Sequence, residues 1–211
     1  MRVQFISDLH LERYRHKPFP RLRPTAPYLF LLGDIGDPYH NNYREFMCYV
    51  SNNWERIYYV SGNHEYTSGL CQGEKLSLIN ITETNHLIDM IIRLKAPNIY
   101  HLNKNWQWCE KFKVFGCTFW SEKHYHYHTQ DKQWLQDQLP ISRVPTLVLT
   151  HYPPTNIIHT HKNVQGWFCG HSHVPTEHGV LYTKPPVYLN AKPEYLRSEV
   201  IEAVEVNIPL V

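Results

Sequence analysis

The sequence predicts an α/β (α+β) fold, a four-layer αββα sandwich in which two mixed β-sheets are flanked by helices, and three observations carry that expectation. Short apolar runs rich in β-branched and aromatic residues recur, and Val3–Ile6, Tyr28–Leu32 and Ile57–Val60 each stop at a polar motif. Segments with helical spacing separate the early runs. Beyond residue 98 the texture changes to strands without long helices. Helices outside and two sheets inside is the economical way to bury this order of elements.

In 41–54, Phe46, Tyr49, Val50 and Trp54 recur at helical spacing, which predicts a crossover helix packed on the first strands. A second helical region is expected within 74–95 from Leu76, Ile79, Leu87, Met90, Ile91 and Leu94, with a break in its Asn- and Thr-rich middle. Ile99–Leu102, Trp106–Trp108 and Phe112–Thr118 read as a meander, followed by a short helix at about 130–138. Thr146–Thr150, Gly166–Cys169, Gly179–Tyr182, Val187–Asn190 and Val200–Val206 read as further strands. The last would be an edge, paired with a second subunit or covered within the monomer.

Composition sets bounds. A chain of 211 residues, 42% hydrophobic and 19% charged, suits one domain over residues 1–211 with a sizeable core. No linker, repeat or low-complexity stretch marks a second. The net charge of +2 gives no concentrated basic stripe, so nucleic acid is possible but not favoured as a partner. No apolar run reaches the roughly 20 residues of a membrane span, and the chain enters a strand at once without a signal-peptide core, which leads to an intracellular, cytoplasmic expectation. The 5 cysteines form no C-x-x-C pair and suggest neither disulfides nor a zinc knuckle; Cys117 and Cys169 read as inert core thiols.

Five short motifs carry chemistry: Asp8-Leu9-His10, Gly33-Asp34, Gly62-Asn63-His64-Glu65, Thr150-His151 and Gly170-His171-Ser172-His173. Asp8 and His10 are two apart, so an extended backbone would project both to one side, where one metal can take both. Asp34 follows an apolar run and offers two oxygens. Asn63 offers a neutral amide oxygen that does not repel a phosphate. His151, His171 and His173 follow apolar strands. Asp37 reads as a turn or supporting residue and Glu65 as a partner that orients a ligand. His124, His126 and His128 would share one side of an extended segment, but with no fourth group to complete a metal site they read as a rim loop.

The ordered set resembles the calcineurin-like metallophosphoesterase superfamily, over residues 2 to about 195, and within it small single-domain bacterial and viral members of undefined substrate. The resemblance implies the metallophosphoesterase fold and a dinuclear centre. Asp8, His10, Asp34 and His173 would hold one metal, and Asp34, Asn63, His151 and His171 the other. Asp34 would bridge the two, and His64 would be no ligand but a partner of the substrate, donating a hydrogen bond or protonating the leaving group. Asn63 and His64 would thus meet substrate, and His64 and Asp34 would be the catalytic residues. Two divalent ions about 3.5–4 Å apart would share a bridging water and clamp the phosphoryl group. The donor set suits Mn²⁺ first, with Fe²⁺ or Zn²⁺ as alternatives.

The resemblance thereby implies a phosphodiesterase ahead of a phosphomonoesterase, acting on a small or nucleotide-like phosphoester as monomer or homodimer. A nuclease of the same fold and a non-catalytic metal-binding or scaffold module are the competing readings. Tyr152-Pro153-Pro154 follows His151 where many relatives have a second histidine, a departure that bears on the substrate. Tyr66, Trp120 and Tyr152 follow motifs or strand ends, and each serves either core packing or stacking of a base or sugar.

Overall fold

The computed structural model describes residues 1–14, 18–67, 77–154, 161–172, 180–181, 186–189, 200–201 and 203–209. His173, Cys71, Asn190 and His159 lie outside them. The described elements are β1 (Arg2–Ile6), β2 (Arg21–Leu22), β3 (Tyr28–Leu32), α1 (Asn41–Asn53), β4 (Arg56–Val60), α2 (His64–Thr67), α3 (Leu78–Lys95), β5 (Ile99–His101), β6 (Asn105–Cys109), β7 (Phe112–Cys117), α4 (Tyr125–Gln138), β8 (Thr146–Thr150), β9 (Val164–Cys169), β10 (Val180–Leu181), β11 (Val187–Leu189), β12 (Val200–Ile201) and β13 (Val204–Asn207).

Two mixed sheets form the centre, as predicted. The first runs β13-β1-β3-β4-β5, with β1, β3, β4 and β5 parallel and β13 antiparallel at the edge; the second runs β10-β11-β9-β8-β7-β6. Phe5 and Phe30 of the first sheet meet Phe168 of the second edge to face at 5.3 and 5.0 Å, and Phe168 stacks on Tyr188 at 4.5 Å. On the outer face of the first sheet, Phe46, Met47 and Val50 of α1 and Ile88, Ile91 and Ile92 of α3 bury Leu29, Leu31, Ile57 and Tyr59. On the outer face of the second, Leu135 and Leu139 cover Val148, Trp167 and Cys169. Burial pushes the Cys117 and Cys169 thiols up, which suits core packing rather than reactivity.

Four expectations need correction. The segment after residue 98 is no meander, because β5 completes the first sheet while β6 and β7 form a hairpin in the second. The helix in 74–95 is unbroken over Leu78–Lys95 and begins at a capping box in which Ser77 and Asn80 satisfy each other's backbone N–H. Its inner face is Thr84, Ile88, Ile91 and Ile92, with Leu87 packed beside it, so of the expected stripe Ile91 and Leu87 face inward while Ile79, Met90 and Leu94 are exposed. The helix near 130–138 begins earlier, at Tyr125, and so absorbs His126 and His128. Successive alternate positions on a helix diverge, so these imidazoles share no face. Finally, Val200–Val206 is two strands, β12 against β2 and β13 against β1. Among the described residues no helix is long and apolar enough to cross a membrane.

Candidate metal centre

The centre lies where loops leave the carboxyl ends of β1, β3, β4, β8 and β9. Asp8 and His10 follow β1, Asp34 follows β3, Asn63 and His64 follow β4, His151 follows β8 and His171 follows β9. These turns are sharp. Asp8, His10, Asp34 and His171 all adopt positive φ, at 57°, 49°, 53° and 65°. Such backbone is sparsely populated for non-glycine residues and clusters at functional sites. Asp8 and His10 therefore do not project from extended chain, as their spacing suggested; two left-handed residues turn them inward instead. Gly33 is required here twice over, since its φ is +84° and a Cβ would lie 2.5 Å from Gly62 N. Gly62 lets the β4 loop close on Asp34, whose Oδ1 a Cβ would approach to 2.2 Å.

Asp34 sits between two groups of donors. One group is His10, Asp34 and His64; the other is Asp34, His151 and His171; within each the donor atoms lie within 4.8 Å of one another. Asp34 Oδ1 accepts the His64 N–H at 2.7 Å, while Oδ2 faces His151 Nε2 at 3.4 Å and His10 Nε2 at 4.0 Å. Asn63 Oδ1 lies 3.2 Å from His151 Nε2, and His171 Nδ1 lies 3.2 Å from the same nitrogen. Asp8 is drawn in through Oδ2, which accepts the His171 N–H at 3.0 Å.

Supporting hydrogen bonds set which ring nitrogen faces inward. His151 Nδ1 donates to the Leu32 carbonyl at 2.8 Å, and a carbonyl only accepts, so in the neutral ring Nε2 carries the lone pair. His10 Nδ1 donates to Glu12 Oε1 at 3.0 Å, which turns its Nε2 toward Asp34 in the same way. His151 Nε2, Asp34 Oδ2 and Asn63 Oδ1 are then electron-pair donors converging in a buried space, and such a set fits a cation. Asp8, His10, Asp34 and His151 are each at most 1% exposed.

Electrostatics ties Asp34 to His151 as an ion pair, with the proton on the nitrogen that faces the carboxylate. Burial alone would raise the Asp34 carboxyl, but the charge and hydrogen bonding of His151 outweigh it and hold Asp34 well below the usual range. Burial works against a charged His151, yet the Asp34 carboxylate raises it to about 9. Glu65 takes the supporting place expected of it: Oε2 accepts Asp34 N and Gly62 N, and Oε1 accepts Ile35 N, at 2.7–2.9 Å. Burial and the nearby Asp34 charge push its carboxyl up to about 7. Asp37 makes a turn, Oδ1 accepting Tyr39 N at 2.9 Å.

One residue with a role at the centre, Glu12, is missed by sequence reasoning, while Tyr152 is read there as packing or stacking only. Glu12 lies against His10 and also 3.3 Å from His64 Nδ1, and the alternation Asp8-x-His10-x-Glu12 is the signal that points to it. Tyr152 places its hydroxyl 3.0 Å from Asn63 Oδ1 and its ring 3.9 Å from that of His171, in the position where the departure from the motif was noted. Tyr66 is core, donating its hydroxyl to Asn85. His128 is buried with Nδ1 on the Trp120 carbonyl, and His126 is exposed beside Gln130.

A carboxylate shared by two imidazole-bearing donor groups on a two-sheet scaffold is the architecture of a metal-dependent hydrolase. The chain belongs to the calcineurin-like phosphoesterase family, whose model matches residues 1–175. It is similar to the uncharacterized protein L509 of Acanthamoeba polyphaga mimivirus, 25% identical over 198 residues, covering 72% of this chain and 68% of that one. Its fold is similar to that of the phosphopantetheinyl hydrolase PptH of Mycobacterium tuberculosis, with TM-score 0.65, 13% identity and coverage of 97% and 95%. It is also similar to TT1561 of Thermus thermophilus, with TM-score 0.60, 12% identity and coverage of 90% and 88%. The family supports metal-dependent hydrolysis of phosphoesters in general.

Proposed function

We propose that the protein is a two-metal phosphoesterase that hydrolyses a phosphodiester, ahead of a phosphomonoester, of a small or nucleotide-like substrate. The observation that supports this reading best is the placement of Asp34 Oδ2 between His10 and His151. Asp8, His10 and Asp34, with His173, would hold one divalent ion, and Asp34, Asn63, His151 and His171 the other; Mn²⁺ suits this oxygen and imidazole set, with Fe²⁺ or Zn²⁺ as alternatives. Such a pair supplies Lewis acidity and a nucleophile from water at neutral pH.

The chain's own groups do the rest. Oxygen from water bonds to phosphorus and the ester oxygen departs. His64 is placed to give that oxygen its proton: the hydrogen bond to Glu12 raises the imidazole, and its side chain is 36% exposed where His10 and Asp34 beside it are buried. The ion-pair partners of Asp34 and Glu12 are histidines, and among the described residues no lysine or arginine pairs with either.

The test is hydrolysis of bis-p-nitrophenyl phosphate against p-nitrophenyl phosphate by metal-stripped protein with Mn²⁺ restored. Diester turnover that needs the metal is expected, and His64→Ala should lower kcat by about 10²–10⁴-fold. Monoester turnover alone would reverse the preference, and silence on both with two ions bound would overturn the reading.

A further inference from the structure

The two donor groups of the centre are supported differently. In the first, the Glu12 carboxylate stands against His10 and His64. In the second, Asn63 and His171 come from the rims of different sheets, and a residue that is not itself a donor touches both: the Tyr152 hydroxyl donates to Asn63 Oδ1 at 3.0 Å, and its ring lies 3.9 Å from that of His171. Tyr152 also meets the His151 ring edge to face at 5.1 Å. We infer that Tyr152 is the positioning residue of the second metal position, holding the oxygen of Asn63 and the ring of His171 where an ion meets them. The inference rests on the two-metal reading and adds to it a residue that would bind no ion and yet set how tightly one is held.

The phenol acts through the chemistry of an amide. Asn63 carries one oxygen and one nitrogen of nearly the same shape, and only the oxygen can hold a cation. An amide oxygen accepts twice, so the phenol takes one lone pair and leaves the other for an ion. His171 is held by contact instead. Aromatic rings usually stand about 4.5–7 Å apart, and at 3.9 Å, with the planes tilted by 43°, the imidazole has no room to turn toward Tyr152. Both groups are thereby placed before an ion arrives, which removes an ordering cost from its binding.

Tyr152 can hold others because it is itself fixed. Its carbonyl accepts the Thr150 hydroxyl at 2.7 Å, and Thr150 Oγ1 in turn accepts Trp167 Nε1 at 2.8 Å. Its N–H donates to the Thr118 carbonyl at 3.2 Å, as does that of His151. Trp120 packs behind its ring with centroids at 6.4 Å, and Tyr66 packs on Trp120 at 5.4 Å. Burial, with the nearby Asp34 charge, pushes the phenol up, so near neutral pH it stays a donor.

The test is titration of the metal-stripped protein with Mn²⁺, the free ion being followed by its electron paramagnetic resonance. The parent should show two binding steps, and the step that His171→Ala weakens marks the second position. Tyr152→Phe keeps the ring and deletes the donor, so it should raise the Kd of that step by about tenfold or more and change the other by less than about twofold. Tyr152→Leu removes the ring as well and should weaken the same step further. In an Asn63→Ala background, Tyr152→Phe should change the Kd by less than about twofold, because the oxygen that the phenol holds is gone. A tyrosine with a merely structural role would weaken binding alike in both backgrounds. Unchanged Kd values in Tyr152→Phe, or the same loss with and without Asn63, would overturn the positioning role and leave the phosphoesterase standing. A parent protein that takes up no second ion would overturn the two-metal reading beneath it.

Discussion

The rims of the two sheets bring different chemistry to the centre. The first supplies the carboxylates Asp8 and Asp34, the amide of Asn63 and the imidazoles of His10 and His64; the second supplies only imidazoles among the described donors, His151 and His171. Neither rim has a complete set. Among the contacts that join them are the His151–Leu32 and His171–Asp8 hydrogen bonds, each between residues more than a hundred positions apart in the chain. The centre is a seam, and it exists while the sheets are docked.

The largest effect is expected on the carboxylate that spans the seam. Asp34→Asn removes one negative charge and leaves an amide facing two imidazoles. Catalysis should fall by about 10³-fold or more, roughly 4 kcal/mol of transition-state stabilisation. The number of ions bound per chain, measured by elemental analysis after dialysis, should fall below that of the parent protein, with the circular dichroism spectrum unchanged. A variant that kept both ions and the rate would show that the two donor groups do not depend on a shared oxygen.

The next effect separates the seam from the rest of the core. Phe168 touches Phe5 and Phe30 across the sheets, whereas Met47 packs between α1 and the outer face of the first sheet. Phe168→Ala should cost about 3–5 kcal/mol and Met47→Ala about 2–5 kcal/mol. The stability losses overlap, but metal affinity should drop in Phe168→Ala alone, since only that cavity loosens one rim against the other. Isothermal titration with Mn²⁺, beside urea unfolding, measures both. Equal affinity losses would make the centre sensitive to global stability rather than to sheet docking.

This division also explains what the sequence shows and what it hides. Strand ends and polar motifs are local, so β3 and β8 are legible to the residue, and the donors can be named before any geometry is known. What is hidden comes from tertiary packing. The left-handed turns at Asp8 and His10 are set by backbone bonds to Gly33 and Asp34, an adjacent loop that no spacing rule reports. In α3 the apolar stripe and the buried face differ because Asn85 accepts the Tyr66 hydroxyl and Asp89 meets His101, which fixes the rotation of the helix by polar contacts. The His124–His128 alternation misleads for a related reason: His128 is drawn into α4 to hold Trp120, and period two has no meaning on a helix.

The smallest effect tests the support beneath the first rim. Burial raises the Glu12 carboxyl, but hydrogen bonds from His10 and His64 outweigh it and hold the group at about 2, below its usual 4.5. A carboxyl depressed on folding contributes stability that is fully present above its unfolded pKa and is lost as pH falls through the folded one. In metal-stripped protein the contribution should therefore be complete above about pH 4.5 and drain away toward about pH 2, a change of about 3 kcal/mol for a side chain that is 13% exposed. Glu12→Gln has no such group to titrate. Urea midpoints of the two proteins, taken in steps from about pH 6 to about pH 3, should differ at the top of the range and converge toward the bottom. Parallel curves would mean that Glu12 titrates alike folded and unfolded, and that the hold on His10 and His64 lies elsewhere on the rim.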